Sequence, residues 1–310
     1  MKTNKLTIIG VSVVALILVF SISKFFTTEK FLIIHSDDLG LSSSHNSATI
    51  LAMREGLVTS ASLMVPCPKR DEAIELWREN DDLDIGIHLT VTNEWENYRW
   101  GGVADPNLIS SLLDDEGYMY PNCKIFLENA ELDEIEIELR AQIEYVLEKG
   151  LVPTHLDAHM TCLFRGSAEL LFTYLKVAQD YEILAMLPKT SFEQIKSAGY
   201  LDQLDLKYIG IIDQLYIADE QEYDKKGMEQ LYIDILNEVK PGFNVLLIHT
   251  SYDDLEMKKI TSDTKHWGSQ WREEDLKFFT SSKTYKYIFE NNIQLINWKV
   301  FRKIKELYEQ

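Results

Sequence analysis

From residue 31 onward, short apolar runs rich in β-branched residues alternate with stretches of helical period, and this alternation restricts the chain to βα units around a parallel sheet. The apolar runs are "FLIIHS", "LVTSASLMV", "LDIGIHLTV", "LVPTHLDAH", "YEILAML", "YIGIIDQLYI", "FNVLLIHTS" and "IQLINW". Between them lie helical stretches such as "NSATILAMREG", "ELDEIEIELRAQIEYVLEKG" and "MEQLYIDILNEVK". About seven such repeats in roughly 280 residues predict an α/β fold of the (β/α) barrel kind rather than an open doubly wound sheet. A lone Gly40 after the first run is not the glycine-rich nucleotide fingerprint. Residues 93–129 lose all periodicity, and an excursion of that length in a compact domain is usually functional or mobile.

The chain has 310 residues, 45% of them hydrophobic, enough for a substantial core. Its formal net charge of -19 excludes a polyanionic partner such as nucleic acid, which is bound by clustered Lys and Arg. Cys67, Cys123 and Cys162 are widely spaced and lack a CxxC pair, so three buried thiols are expected rather than a disulfide or a thiolate metal site.

Residues 1–29 differ in kind. "LTIIGVSVVALILVFSI" is an uncharged run of about 17 residues, the lower end of the roughly 17–25 that span a bilayer. It is longer than a signal-peptide core, and no small-x-small cleavage site follows. The reading is an N-terminal transmembrane helix, an uncleaved signal anchor. Lys2 and Lys5 favour a cytoplasmic N-terminus, which places the folded domain, residues 30–310, outside the cell membrane; secretion after cleavage is the alternative.

Titratable residues recur where apolar runs end: Asp37 and Asp38, His88, the His155–Asp157–His159 triplet, and His249. In a parallel barrel all strand C-termini converge on one face, so these groups are expected to be neighbours. Two adjacent carboxylates at the end of a buried strand call for a positive partner. A divalent cation held by one carboxylate and two imidazoles meets that need, since neutral His is the commonest metal ligand. Residues 155, 157 and 159 share a face on a strand, and 155 and 159 share one on a helix.

The motifs "SDDLGLSSSHN", "GLVTSASLMVPCP", "IGIHLT" and "PTHLDAH", followed by "LLIHTSYDDLEM" and "TSDTKHWGSQWREEDLKFFTS", resemble in their order the YdjC-like carbohydrate deacetylases, over about residues 31–300. The resemblance implies a distorted TIM-like barrel and a metal-dependent hydrolase that removes acetyl groups from N-acetylated sugars or oligosaccharides. It implies one divalent ion, Mg2+ or Zn2+, on Asp38, His88 and His159, with Asp37 as general base. His249 would be a general acid or hydrogen-bond donor near the site. His35 departs from the Asn usual in the family, and the histidines that often follow the "THLD-x-H" motif are replaced by "MTCLF".

His155 and Asp157 are expected behind the ligands, orienting His159 or meeting sugar hydroxyls. Trp95, Tyr98, Trp100 and Trp267 are candidate faces for a pyranose ring, although such side chains also pin down a long excursion. A silent surface carbohydrate-binding protein and a non-haem iron enzyme with the same two-His, one-carboxylate set are the alternative readings. A homodimer is left open.

Overall fold

The computed structural model describes residues 28–308. Nine strands form one parallel sheet: β1 (Lys30–Leu39), β2 (Ser60–Leu63), β3 (Ile85–Leu89), β4 (His155–Ala158), β5 (Leu184–Pro188), β6 (Ile209–Ile212), β7 (Gln214–Ile217), β8 (Gly242–Ile248) and β9 (Ile293–Leu295). Their order is β6-β5-β4-β3-β2-β1-β8-β7, with β9 added beside the start of β1. All pairings are parallel, and helices connect the strands, as the alternation predicts. The result is a nearly closed barrel.

Closure depends on a single run. Residues 209–212 pair with β5, residues 214–217 pair with β8, and Asp213 stands between them. No ladder joins β6 to β7. Asp213 secures the bend by donating its N–H to the Phe243 carbonyl at 2.7 Å and accepting from the Phe243 N–H at 3.0 Å.

Apolar residues of β1 to β5 lie fully buried under amphipathic helices; the helix Leu132–Glu148, for example, buries Ile135, Leu139, Ile143 and Val146. The long excursion is anchored to that helix by a buried carboxylate. Glu138 accepts the backbone N–H groups of Val103 and Ala104 at 2.9 and 3.0 Å. Orphan amides of an irregular segment thus find a buried acceptor, which an apolar residue at 138 would not provide.

Two expectations are corrected. Among the described residues no helix is long and apolar enough to cross a membrane, and the apolar run expected to span one, residues 6–22, lies outside them. The described helices instead carry a polar face and pack on the sheet. The transmembrane helix and the single-pass membrane localisation drawn from it are therefore withdrawn. The second correction concerns the thiols. Cys123 and Cys162 form a disulfide, with Cα atoms 5.1 Å apart, which ties the helix Cys123–Asn129 of the excursion to the turn after β4. Folding back of the excursion brings together two residues 39 positions apart. Cys67 remains a buried thiol.

Candidate metal centre and active-site cavity

Alternate residues of a strand face opposite sides, so Asp37 and Asp38 should not both point into the barrel. The backbone resolves this locally. The register of β1 on β2 slips between Ser36 and Leu39, and Asp38 takes a left-handed φ of 67°. Both carboxylates are buried and line one cavity at the C-terminal mouth. Gly40, at φ 96°, completes the turn; a Cβ there would stand 2.9 Å from Leu63 Cδ1.

Three atoms from three strand ends converge. Asp38 Oδ1 lies 3.6 Å from His88 Nε2 and 3.4 Å from His159 Nδ1, and the two nitrogens are 3.3 Å apart. On its far side each imidazole meets a carboxylate: His88 Nδ1 reaches Asp157 Oδ1 at 2.8 Å, and His159 Nε2 reaches Glu94 Oε2 at 2.9 Å. Those bonds place the ring protons away from the centre, so two nitrogen lone pairs and one carboxylate oxygen face each other. Asp38 Oδ1 has no hydrogen-bond partner.

Three acceptors without a donor repel each other unless a cation lies between them. Ligands about 2.0–2.2 Å from one ion stand roughly 3.0–3.5 Å from one another, which matches the observed triangle. The residues present fit a divalent metal. Without the ion, protons answer the same demand. Burial disfavours the His159 cation, yet Glu94 and Asp38 push its pKa up to about 10. Asp157 and Asp37 likewise raise His88 against its burial.

Arg272, from the helix Ser269–Phe279, completes the charge pattern. Its Nη2 lies 2.8 Å from Asp38 Oδ2, which leaves Oδ1 for the centre. Burial would raise the Asp38 pKa, but Arg272 and then His249 hold it well below the usual carboxylate range. Asp37 differs. Burial pushes it upward against the pull of His88 and His35, as suits a group that accepts a proton. Its Oδ1 is 3.2 Å from His35 Nε2 and its Oδ2 is 3.8 Å from His88 Nε2.

His249 lines the cavity with Nε2 3.8 Å from Asp38 Oδ2, and its ring is edge-on to Trp267. Burial, and further Arg272, lower its pKa to about 3, so the ring is neutral at pH 7. Its backbone N–H is held by buried Asp275 at 2.8 Å.

The cavity measures about 570 Å³ and opens between Trp95, Glu96, Met160, Arg165, Asp263 and Trp267. Trp95 and Trp267 line it. Trp100 does not: it packs edge-on to His159 and donates to the Thr92 carbonyl at 3.0 Å. Tyr98 donates to the Leu41 carbonyl and pins the excursion. His155 lies deeper than expected, stacked on Trp298 and bonded to Thr154 Oγ1 at 2.9 Å, so it touches neither His159 nor the cavity. Gly86 leaves room for it, because a Cβ there would stand 2.4 Å from its ring. Asp157 supports His88 rather than His159. Arg272, Glu94 and His35 escape sequence reasoning. Arg272 and Glu94 lie off the strand ends that carry the signal, and His35 registers there only as a departure from the family's usual Asn.

Fold and site together define a (β/α)-barrel protein whose mouth carries a candidate metal centre. The chain belongs to the YdjC-like family: the family model described as YdjC-like protein matches residues 31–290. It is 25% identical to a carbohydrate deacetylase of Thermoanaerobacter pseudethanolicus, covering 88% of this chain and 100% of that one. It is 29% identical to a carbohydrate deacetylase of Clostridium beijerinckii (86% and 98% covered) and 30% identical to one of Thermus thermophilus (71% and 77%). The barrel superposes with TM-score 0.73 on a crystal structure from Enterococcus faecalis described as a candidate for cellobiose-phosphate cleavage, at 24% identity, covering 88% of this chain and 99% of that one. That likeness concerns the fold.

Proposed function

We propose that the protein is a metal-dependent carbohydrate deacetylase, a hydrolase that cleaves the amide of N-acetylated sugars or oligosaccharides. The observation that carries this reading is the donor-free triangle of Asp38 Oδ1, His88 Nε2 and His159 Nδ1 beside a second carboxylate in an open cavity. The activity of the named relatives supports the substrate class. Two imidazoles and one carboxylate suit Zn2+ or a neighbouring transition metal better than oxygen-loving Mg2+.

When bound, the ion acidifies water and polarises the acetyl carbonyl. Asp37, adjacent to the ligand Asp38, takes the proton of the attacking water on Oδ2, the oxygen turned towards His88. Arg272 holds Asp38 in place, and Glu94 and Asp157 fix the orientation of the two imidazoles. His249, neutral and facing the cavity, donates a hydrogen bond from its ring to the reacting amide, and the proton taken up by Asp37 passes to the departing amine as the C–N bond breaks. Trp267 offers a ring face for the pyranose.

Acetate release from N-acetylated oligosaccharides, with Zn2+, Mg2+ or no added ion, tests this reading. Wild-type protein is expected to release acetate only with metal. Asp37→Asn should keep its metal and lose turnover by about 10² to 10⁴. Full turnover in that variant would remove the base assignment, and metal-independent release would remove the mechanism.

A further inference from the structure

The floor of the barrel, directly beneath the cavity, holds a buried imidazole to which the mechanism above gives no task. His35 precedes Asp37 by two residues on β1, so both side chains point inward, one layer apart. Ser36, between them, points away and bonds Thr250 Oγ1 at 2.9 Å. His35 is fully buried. Its Nε2 is hydrogen-bonded to Ser62 Oγ at 3.0 Å and lies 2.7 Å from Asp157 Oδ2 and 3.2 Å from Asp37 Oδ1. The same Asp157 holds His88 through its other oxygen, at 2.8 Å, and accepts from Ser62 Oγ at 2.9 Å.

Resting on the deacetylase reading, we propose that His35 is a positioning residue for Asp37: it draws Oδ1 down to the floor and so turns Oδ2 towards the reacting water. Three observations carry this. Asp37 Oδ1 is sealed from solvent and without a hydrogen bond, and it faces His35 Nε2 across an ion-pair contact of 3.2 Å, so the charge of His35 biases which way the carboxylate turns. His35 Nε2 separates two buried carboxylates that would otherwise repel each other across the floor. Through Asp157, one rigid chain of contacts runs from the base to the imidazole of His88, which fixes their mutual distance. Misplacing a reacting group by a fraction of an ångström is costly in rate, and supporting partners commonly contribute 10- to 100-fold.

The test uses the full chain with Zn2+, with His35→Gln and His35→Met made in wild-type and Asp37→Asn backgrounds. Gln places an amide N–H near the position of Nε2; Met fills the space without a donor. His35→Met is expected to lower kcat about 10- to 100-fold with KM and bound metal little changed, and His35→Gln to recover most of that loss. In the Asp37→Asn background neither substitution should lower kcat further, because the group they position is already gone. Wild-type kcat in His35→Met, or an equal fold-loss in both backgrounds, would overturn the inference. If His35→Met folds but is too unstable to assay, its urea midpoint is compared with that of the double variant, and if it does not fold at all, folding of the double variant is the readout. Recovery on neutralising Asp37 supports the contact, and no recovery overturns it. Asp37→Asn alone reports on the base assignment, so failure of that reading is seen separately.

Discussion

Two buried polar regions share the axis of this barrel, and they are built on opposite principles. On the floor most carboxylate oxygens meet donors: Thr154 and Ser60 donate to Asp84 at 2.9 and 3.0 Å, Lys299 N–H donates to its other oxygen at 2.9 Å, and Ser62 donates to Asp157, although His35 Nδ1 and His155 Nε2 lack a hydrogen-bond partner. At the mouth, one layer above, Asp38, His88 and His159 present acceptors to each other with no donor among them. A balanced buried network holds a structure together, whereas an unbalanced one implies a ligand of the missing charge. Burial alone does not distinguish the two, since both regions are almost completely enclosed. The balance of protons does.

The largest test of this contrast is Asp38→Ala. Removal of the oxygen leaves two imidazoles and a buried guanidinium, so metal content should fall to background and acetate release with it; treatment of wild-type protein with a chelator should reproduce the loss. Metal titration of a thermal melt supplies the converse: the wild type should gain about 2.7 kcal/mol at an ion concentration 100 times Kd, and Asp38→Ala should gain nothing.

An intermediate effect is expected from Asp157→Asn, which joins the two regions. Loss of the carboxylate behind His88 should weaken metal binding about 10- to 100-fold, measured by competition with a chromophoric chelator. Glu94→Gln acts on the more exposed side of His159 and should fall at or below about tenfold on the same scale.

The smallest effect is the floor's share of a pH limb to which His159 at the mouth, also raised to about 10, contributes. Burial opposes the His35 cation, but Asp157 and Asp37 raise its pKa from 6.5 to about 10. A group raised on folding stabilises the native state fully below its unfolded pKa, and the contribution is lost as pH rises through the folded value. The urea midpoint of metal-free protein should therefore decline between pH 6.5 and about 10, and His35→Gln should make that decline shallower while His159 supplies the remainder. A limb unchanged by the substitution would assign it to another group.

Much of the architecture was legible because strands and helices impose periods. The βα alternation predicts the parallel barrel, and acidic and imidazole groups at the ends of apolar runs predict which side chains meet at its mouth. What was hidden lacks a period. The register slip that turns Asp37 and Asp38 to one side depends on a single left-handed residue. Arg272 and Glu94 reach the centre from a helix and an irregular segment, where no repeat marks them. His155 illustrates a different failure: two-residue spacing correctly places it on the inner face with Asp157, but one layer deeper, beyond reach of the site. Cys123 and Cys162 meet only through the path of the excursion.

The break at Asp213 has a mechanical consequence. Every other neighbouring pair in the sheet shares a parallel ladder, as short as two residue pairs between β4 and β5, but β6 and β7 are joined only end to end. Ile217, which ends β7, and Glu220, which opens the following helix, flank the cavity on that side. The cylinder thus has a seam: the wall of the binding cleft that carries Ile217 is braced by β8, and it meets the rest of the sheet on its other side through the aspartate that clasps Phe243.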